Sequence, residues 1–217
     1  MQLNTDTKEV MTRPATPQEA FWQGDFGTNY IERNKSEKLL DSNTALFSQI
    51  LGHTKGVQSV LEIGANIGLN LKAIRAHLPQ ARLTAIEINA KAAEELRKIE
   101  GCEVHHMSVL DYSPQKKSDL VLSKTVLIHM PPEMLPDVYK IMHDSSDKYI
   151  LIAEYYNPTP MEVVYRGNEG KLFKRDFAGE MLAKYPDLRL VNYGFVYHGD
   201  PEHPQDDITW FLMEKTT

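Results

Sequence analysis

The chain has 217 residues, of which 41% are hydrophobic and 25% charged, and its formal net charge is −6. These values suit one globular α/β domain with a short appendage and argue against a general affinity for nucleic acid or anionic membranes. The single cysteine, Cys102, excludes an intrachain disulfide and a thiolate cluster, so we expect no metal and a reducing, cytoplasmic compartment. We see no signal-peptide core and no run of about 18 apolar residues, so no membrane partner is expected.

The chain divides into three predicted regions. Residues 1–17 are polar and contain two prolines, which indicates a mobile tail. Residues 18–55 begin with an aromatic, glycine-rich stretch and continue with a helical pattern over 36–51, which predicts an N-terminal helical cap or lid. Residues 56–217 hold the ligand-binding domain.

Strands and helices alternate after residue 56. The predicted strands are 58–63, 82–87, 103–107, 119–123 and 148–153, and the helices between them are 68–78, 90–99 and 132–144. A loop from Tyr155 to Gly170, a helix over 174–185 and strands over 188–197 and 207–214 complete the chain. This order predicts a Rossmann-like α/β fold, with a seven-stranded, mostly parallel sheet and an antiparallel edge hairpin. Ligands of such sheets bind at the carboxyl ends of the strands.

A glycine turn follows the first of these strands. The apolar strand stops at Gly64, Gly68 opens the next helix, and Asn66 stands between them. Such a turn lets a ligand approach the backbone closely. Glu87 ends the second strand about 20 residues further on, where a carboxylate binds the two hydroxyls of a ribose. The pattern therefore predicts a nucleoside-bearing cofactor.

Glu62 distinguishes between nucleoside cofactors. It lies just before the turn, where a carboxylate repels a pyrophosphate but attracts an α-amino group. S-adenosylmethionine (SAM) carries such an amino group at one end and a ribose at the other, so it fits Glu62 and Glu87 better than NAD does. An NAD(P)-dependent reductase remains an alternative, as does a glycine turn in an unrelated α/β protein.

The turn resembles motif I of class I SAM-dependent methyltransferases, D/E-x-G-x-G-x-G, with Asn66 in place of the middle glycine. The resemblance extends to two later segments. The segment after the third strand resembles the adenine-contacting segment of that family, although Asp111 could also be a turn former. The segment 123–129 passes beneath the methionine moiety in that family. These segments add the cofactor contacts Ser108, Val109, Leu110, Asp111 and Lys124, and Ile88, next to Glu87, is a further predicted contact.

Polar side chains after the fourth and fifth strands are candidates for the acceptor end of the site. His129 is the first candidate base for a hydroxyl acceptor, although a packing histidine is an equal alternative. Glu154 is the second candidate base, and Tyr155 and Tyr156 could orient an amine or hydroxyl. The alternative is that these tyrosines only pack the loop.

Three further groups of residues are candidates for ligand contacts. Arg166, Lys171 and Lys174 form a basic stretch with Arg175 that could grip a phosphate or carboxylate, or could be a solvated face. The paired acids Asp206 and Asp207 could hold a substrate amine, or could protect a strand edge. In the lid, we expect the cofactor carboxylate to meet Tyr30 and Arg33.

A nearer resemblance covers residues 20–215. The segments Leu-Glu-Ile-Gly-Ala-Asn-Ile-Gly, Lys-Thr-Val-Leu-Ile-His-Met and Ile-Ala-Glu-Tyr-Tyr-Asn-Pro-Thr-Pro occur in the order found in methylases associated with pseudaminic acid biosynthesis. The resemblance implies methyl transfer from SAM to nitrogen or oxygen of an amino sugar or nucleotide-linked sugar. We expect the protein to be a monomer or homodimer. An amino acid or peptide-like acceptor is the alternative substrate, and a non-catalytic SAM-binding regulatory subunit is the alternative function.

Overall fold

The computed structural model describes residues 13, 15–33 and 36–216, without the side chains of residues 32 and 33. Most of the predicted tail, residues 1–12 and 14, lies outside the described residues. Among the described helices, none has both the length and the apolar character needed to cross a bilayer.

In the part of the chain that the structure describes, nine strands form a large sheet and a small one. They are β1 Ser59–Ile63, β2 Arg82–Glu87, β3 Cys102–His106, β4 Ser118–Lys124, β5 Ser146–Glu154, β6 Met161–Tyr165, β7 Asn168–Lys174, β8 Leu188–Val196 and β9 Ile208–Lys215. The large sheet has the order β3-β2-β1-β4-β5-β9-β8, with β1 to β5 parallel and β9 antiparallel to both of its neighbours. The predicted seven-stranded, mostly parallel sheet with an antiparallel edge hairpin is confirmed.

Seven α-helices accompany the strands in the described part of the chain. They are α1 Pro17–Gln23, α2 Asp25–Arg33, α3 Glu37–Leu51, α4 Leu69–His77, α5 Ala90–Leu96, α6 Leu135–Ser145 and α7 Phe177–Lys184. Helix α1 begins at a capping box in which Thr16 and Glu19 satisfy each other's backbone N–H groups. Helix α7 begins three residues later than predicted because β7 continues through Lys174 and Asp176 caps the helix.

The core lies on both faces of the large sheet, because neighbouring side chains of a strand point to opposite faces. Val60 of β1 packs with α3 and α4 on one face, whereas Leu61 packs with α6 and α7 on the other. All five residues of β1 are buried, as expected for the central strand of a covered parallel sheet. Each aliphatic side chain buried there contributes about 1.5–3 kcal/mol. This core fixes the strand ends that carry the site.

The predicted loop from Tyr155 to Gly170 is wrong, because β6 and β7 form an antiparallel hairpin there. Its two-residue turn, Arg166 and Gly167, has φ values of 50° and 80°, as in the left-handed turns that match the twist of a hairpin. The prolines at 158 and 160 precede β6 and interrupt neither strand. The hairpin contacts the segment after β4 and so belongs to the surroundings of the site.

Candidate functional site

A cavity of about 340 Å³ opens at the carboxyl ends of β1, β2 and β4, and α1 and α2 form part of its wall. Several residues predicted to bind the cofactor line it together: Tyr30, Gly64, Asn66, Glu87, Ile88, Ser108, Val109 and Lys124. The predicted contact Gly68 caps the N-terminus of α4. Arg33 lies at the end of α2, and its side chain is outside the described residues.

The turn after β1 has a left-handed backbone that depends on glycine and asparagine residues. Gly64 has φ +65°, and a Cβ atom there would lie 2.6 Å from Cγ2 of Val126, so only glycine fits. Its N–H donates to the carbonyl oxygen of Ile86 at 2.8 Å. Asn66 has φ +49°, a conformation that asparagine tolerates better than most residues. Asparagine therefore replaces the middle glycine of the resembling motif without losing the left-handed backbone.

Glu87 joins the loops that follow β1 and β2. Its two carboxylate oxygens accept the backbone N–H groups of Asn66 and Asn89, each at 2.7 Å. Burial raises the pKa of this carboxyl group, while those backbone N–H groups act to lower it. Each oxygen of a carboxylate can accept a second hydrogen bond, so Glu87 can bind hydroxyls in the cavity as well as hold the loops.

Glu62 and Asn70 form a buried polar pair behind the turn. The side-chain amide of Asn70 donates to Oε1 of Glu62 at 2.6 Å, and Glu62 is 1% exposed. The other oxygens, Oε2 of Glu62 and Oδ1 of Asn70, have no hydrogen-bond partner among the described residues. Burial raises the pKa of Glu62 to about 8, and the nearby ammonium group of Lys124 opposes that shift. The pair can accept hydrogen bonds from a cationic ligand.

This buried carboxyl group predicts a pH dependence of stability. The pKa of Glu62 in the folded state, about 8, lies above the ordinary 4.5, so the folded chain retains a proton that the unfolded chain releases. The free energy of unfolding should therefore contain a contribution that falls as the pH rises between these two values. Glu62→Gln should remove it, because glutamine does not titrate. Urea denaturation at half-unit pH intervals measures the difference between the proteins, and a difference independent of pH would contradict the prediction.

The loop after β3 meets the N-terminal cap. Glu19 is 5% exposed, and its carboxylate accepts hydrogen bonds from Arg13 at 2.8 Å, from Thr16 N at 2.7 Å and from the Ser108 hydroxyl. Burial acts to raise the pKa of Glu19, but these hydrogen bonds outweigh it and lower the pKa to about 2. Arg13 Nε lies 3.4 Å from Asp111, which with Leu110 stands behind the cavity wall. Glu19, which sequence analysis missed, therefore ties α1 to this loop.

His129 also lines the cavity, and its hydrogen bond determines which tautomer is present. Its Nδ1 lies 2.6 Å from the carbonyl oxygen of Lys171, so Nδ1 carries the hydrogen and Nε2 is left as an acceptor. Its ring packs 4.6 Å from the Trp22 ring and 4.9 Å from the Tyr165 ring. Burial lowers the pKa of His129 to about 4, so the imidazole is neutral near pH 7.

Glu154 lies behind the cavity wall and holds the loop after β4. Its Oε1 accepts hydrogen bonds from the Ser123 hydroxyl at 2.9 Å and from the backbone N–H groups of Val126 and Leu127 at 3.0 Å each. Thr125, at the start of that loop, has φ +56°, which is strained for a β-branched residue. Through these contacts Glu154 stabilises the loop after β4. The catalytic role proposed from the sequence remains a prediction.

The predicted acceptor residues are not all brought together. Tyr155 lies outside the cavity lining, and burial together with the carboxylate of Asp206, which does line the cavity, raises the pKa of Tyr155. Asp207 accepts a hydrogen bond at 2.9 Å from His198, a cavity residue that sequence analysis missed. Tyr156 is 41% exposed and packs against Phe211.

The basic residues are dispersed around the hairpin. Arg166 occupies its turn, and Lys171 donates to the carbonyl oxygen of Pro17 at 3.0 Å. The ammonium group of Lys174 lies 5.2 Å from the centre of the Tyr155 ring, and Arg175 pairs with Glu180. None of these four cations lines the cavity, so their binding of a phosphate or carboxylate group remains a prediction.

Several cavity residues had no role in the sequence analysis. Asn70 follows the glycine turn within α4, and Asn43 of α3 is 5% exposed while lining the cavity. Gln205 reaches from the β8–β9 connection to the carbonyl oxygen of Ser42 at 2.9 Å. The position of Asn70 just after the turn was a usable signal. Asn43 and Gln205 reach the cavity through tertiary packing, for which the sequence offers no signal.

Comparison with known proteins relates the sequence and the fold of this chain to methyltransferases. Residues 60–146 match the sequence model of a family described as "Methyltransferase domain". The chain matched no curated protein. It is similar in structure to 1,6-didemethyltoxoflavin-N1-methyltransferase of Burkholderia thailandensis, with 18% identity, a TM-score of 0.68, and coverage of 96% of this chain and 94% of the other.

Two further solved structures have the same fold. Magnesium protoporphyrin IX methyltransferase of Synechocystis PCC 6803 is 13% identical, with a TM-score of 0.65 over 91% of this chain and 98% of the other. The mitomycin 7-O-methyltransferase is 15% identical, with a TM-score of 0.66 over 93% of this chain and 61% of the other. The toxoflavin and protoporphyrin enzymes were crystallised with S-adenosylhomocysteine (SAH). The predicted Rossmann-like methyltransferase fold is confirmed, and the match of residues 60–146 supports the predicted methyltransferase.

Proposed function

We propose that this chain transfers a methyl group from SAM to nitrogen or oxygen of a small polar metabolite. One observation carries the proposal: a single cavity is lined by Glu87 and by Asn70, whose side-chain amide donates to the buried Glu62 behind the turn. A ribose needs a carboxylate that accepts from two hydroxyls, and an α-amino group needs buried acceptors. These are the two ends of SAM.

The cofactor fits the residues present. The backbone at Gly64 can be approached closely because no Cβ atom lies there, and Oε2 of Glu62 and Oδ1 of Asn70 lack partners among the described residues. The ribose hydroxyls would be held by Glu87, and Glu62 and Asn70 would hold the amino group. When bound, SAM supplies an electrophilic methyl group on a sulfonium. The protein then has to orient the acceptor and exclude water.

The finer parts of the proposal rest on the sequence resemblance. It favours an amino sugar or nucleotide-linked sugar as acceptor, with Arg166, Lys171 and Lys174 contacting its phosphates or carboxylate. We further propose a cytoplasmic monomer or homodimer in which residues 18–55 cover the SAM-binding domain. An amino acid or peptide-like acceptor is the alternative substrate, and a non-catalytic SAM-binding subunit is the alternative function.

Two measurements test the proposal. Calorimetry with SAH and with NADH should show binding of SAH alone, since Asn66 replaces the glycine that lets the backbone of a dinucleotide-binding turn approach a pyrophosphate. Incubation with methyl-labelled SAM and a small-metabolite extract should yield a labelled metabolite. Binding of SAH without any labelled product, across pH values and extracts, would favour the regulatory subunit, and binding of NADH alone would favour a reductase.

A further inference from the structure

We infer that the acceptor atom is the nitrogen of an uncharged amine, which donates a hydrogen bond to Nε2 of His129. This inference rests on the proposed function and narrows it from nitrogen or oxygen to nitrogen. It follows from the hydrogen bonds that the candidate bases already make and from the types of side chain that line the cavity.

The two chemistries differ in their need for a base. A hydroxyl group has to lose its proton as it attacks, and a positioned base commonly contributes about 10²–10⁴-fold to such a step. An uncharged amine already presents a lone pair, so it needs only orientation and exclusion of water. A site whose candidate bases are otherwise engaged therefore favours an amine.

Glu154, the second candidate base, and Tyr155, a candidate for orienting the acceptor, do not line the cavity. Glu154 accepts three hydrogen bonds from the loop after β4, and neither it nor Tyr155 belongs to the cavity lining. Burial and the nearby carboxylate of Asp206 raise the pKa of Tyr155 further from neutrality. Neither residue is placed to take a proton from an acceptor in the cavity.

His129 does reach the cavity, but as a hydrogen-bond acceptor. The Lys171 carbonyl oxygen fixes the hydrogen on Nδ1, and no described residue donates to Nε2. The ring is 8% exposed and is enclosed by Trp22 and Tyr165, so an imidazolium there would lack water and a counterion. A neutral imidazole in this position can accept an N–H hydrogen bond and direct the nitrogen lone pair away from itself.

The remaining wall also suits an amine. The rings of Trp22 and Tyr30 meet edge to face at 5.3 Å beside His129, and both line the cavity. The carboxylate of Asp206 lines the same cavity near the β8–β9 connection. Aromatic faces and a carboxylate attract an ammonium ion, which can lose one proton to water at the mouth before it reaches His129.

The transfer is balanced without a protein base. The nitrogen lone pair forms the bond to the methyl carbon, while the carbon–sulfur bond breaks and its electrons remain on sulfur. The nitrogen becomes a methylammonium with all of its hydrogens. One of these protons leaves to water afterwards, so His129 is never required to hold it.

The first test locates the transferred group. The full-length protein is incubated with SAM carrying a CD₃ group and a small-metabolite extract, and the labelled product is purified. NMR and fragmentation should place the CD₃ group on nitrogen. A CD₃ group on oxygen, carbon or sulfur would overturn the inference while supporting methyl transfer. Failure to label any metabolite would remove the proposed function, and the inference with it.

Variants of His129 provide the second test. Glutamine can present an acceptor oxygen near the place of Nε2 but is not a base, so His129→Gln should retain kcat/KM within about tenfold, whereas His129→Leu should lose more. His143→Gln is the matched control, because His143 lies on α6 and pairs with Asp187. Equal losses of about 10²–10⁴-fold in both His129 variants, with unchanged SAH affinity, would identify a base and overturn the inference.

Discussion

Replacing Glu154 by alanine is expected to lower the free energy of unfolding by about 3–5 kcal/mol. The substitution removes the acceptor of three donors, the Ser123 hydroxyl and the N–H groups of Val126 and Leu127, and leaves them in a buried region. It also releases the loop that holds Thr125 in its left-handed conformation. For a chain of this size the melting temperature should fall by roughly 6–20 °C.

The comparison with Glu154→Gln separates structure from catalysis. The glutamine side chain keeps an oxygen that can accept the same three bonds, and burial already raises the pKa of Glu154 to about 7. This variant should therefore keep most of the stability and the activity. Glu133→Ala, at an exposed glutamate, is the control. Urea denaturation followed by circular dichroism measures the change. A stable but inactive Glu154→Gln protein would instead restore the catalytic role predicted from the sequence.

Glu87→Ala is expected to weaken SAH binding by about 10–100-fold. The variant loses the acceptor for the ribose hydroxyls and also leaves the N–H groups of Asn66 and Asn89 without their carboxylate. Glu87→Gln should bind SAH poorly as well, because its amide has only one oxygen for these two donors. Calorimetry measures both, with Glu94→Ala on the exposed face of α5 as control. SAH affinity equal to that of the wild type would refute the ribose role.

A deoxy ligand separates the two effects of Glu87. The wild type should bind the 2′-deoxy analogue of SAH more weakly than SAH, because one hydroxyl no longer donates to the carboxylate. Glu87→Ala should bind the two ligands almost equally, since the partner of that hydroxyl is gone. If the analogue were discriminated equally by both proteins, Glu87 would act only on the loops.

The sheet and the nucleoside end of the site were predictable because they depend on local sequence. Alternating strands and helices determine the parallel order, and the sharp turn after β1 needs Gly64, whose φ is +65°. Glu87 was recognisable because a strand end fixes where its carboxylate stands. Each of these signals lies within a few residues of the structure that it predicts.

The hairpin and the contacts of the acceptor end were less accessible from sequence. Arg166-Gly167 was a usable signal for a two-residue turn, but the nearby prolines suggested a loop. The bond from His129 to the Lys171 carbonyl joins residues 42 positions apart, so no local pattern reveals which tautomer is present. Glu154 was predicted to be catalytic from its position at a strand end, but the sequence did not reveal the contacts of its side chain with the loop after β4.

The β6–β7 hairpin touches the acceptor end through the main-chain oxygen of Lys171 and the ring of Tyr165, which both contact His129, and none of its residues lines the cavity. Substitutions or insertions in this hairpin can therefore change which metabolites fit beside His129 during evolution. The strand–helix units around Gly64 and Glu87, which are proposed to bind the nucleoside, need not change with them. The fold therefore separates the elements proposed to bind the cofactor from the hairpin beside the methyl acceptor.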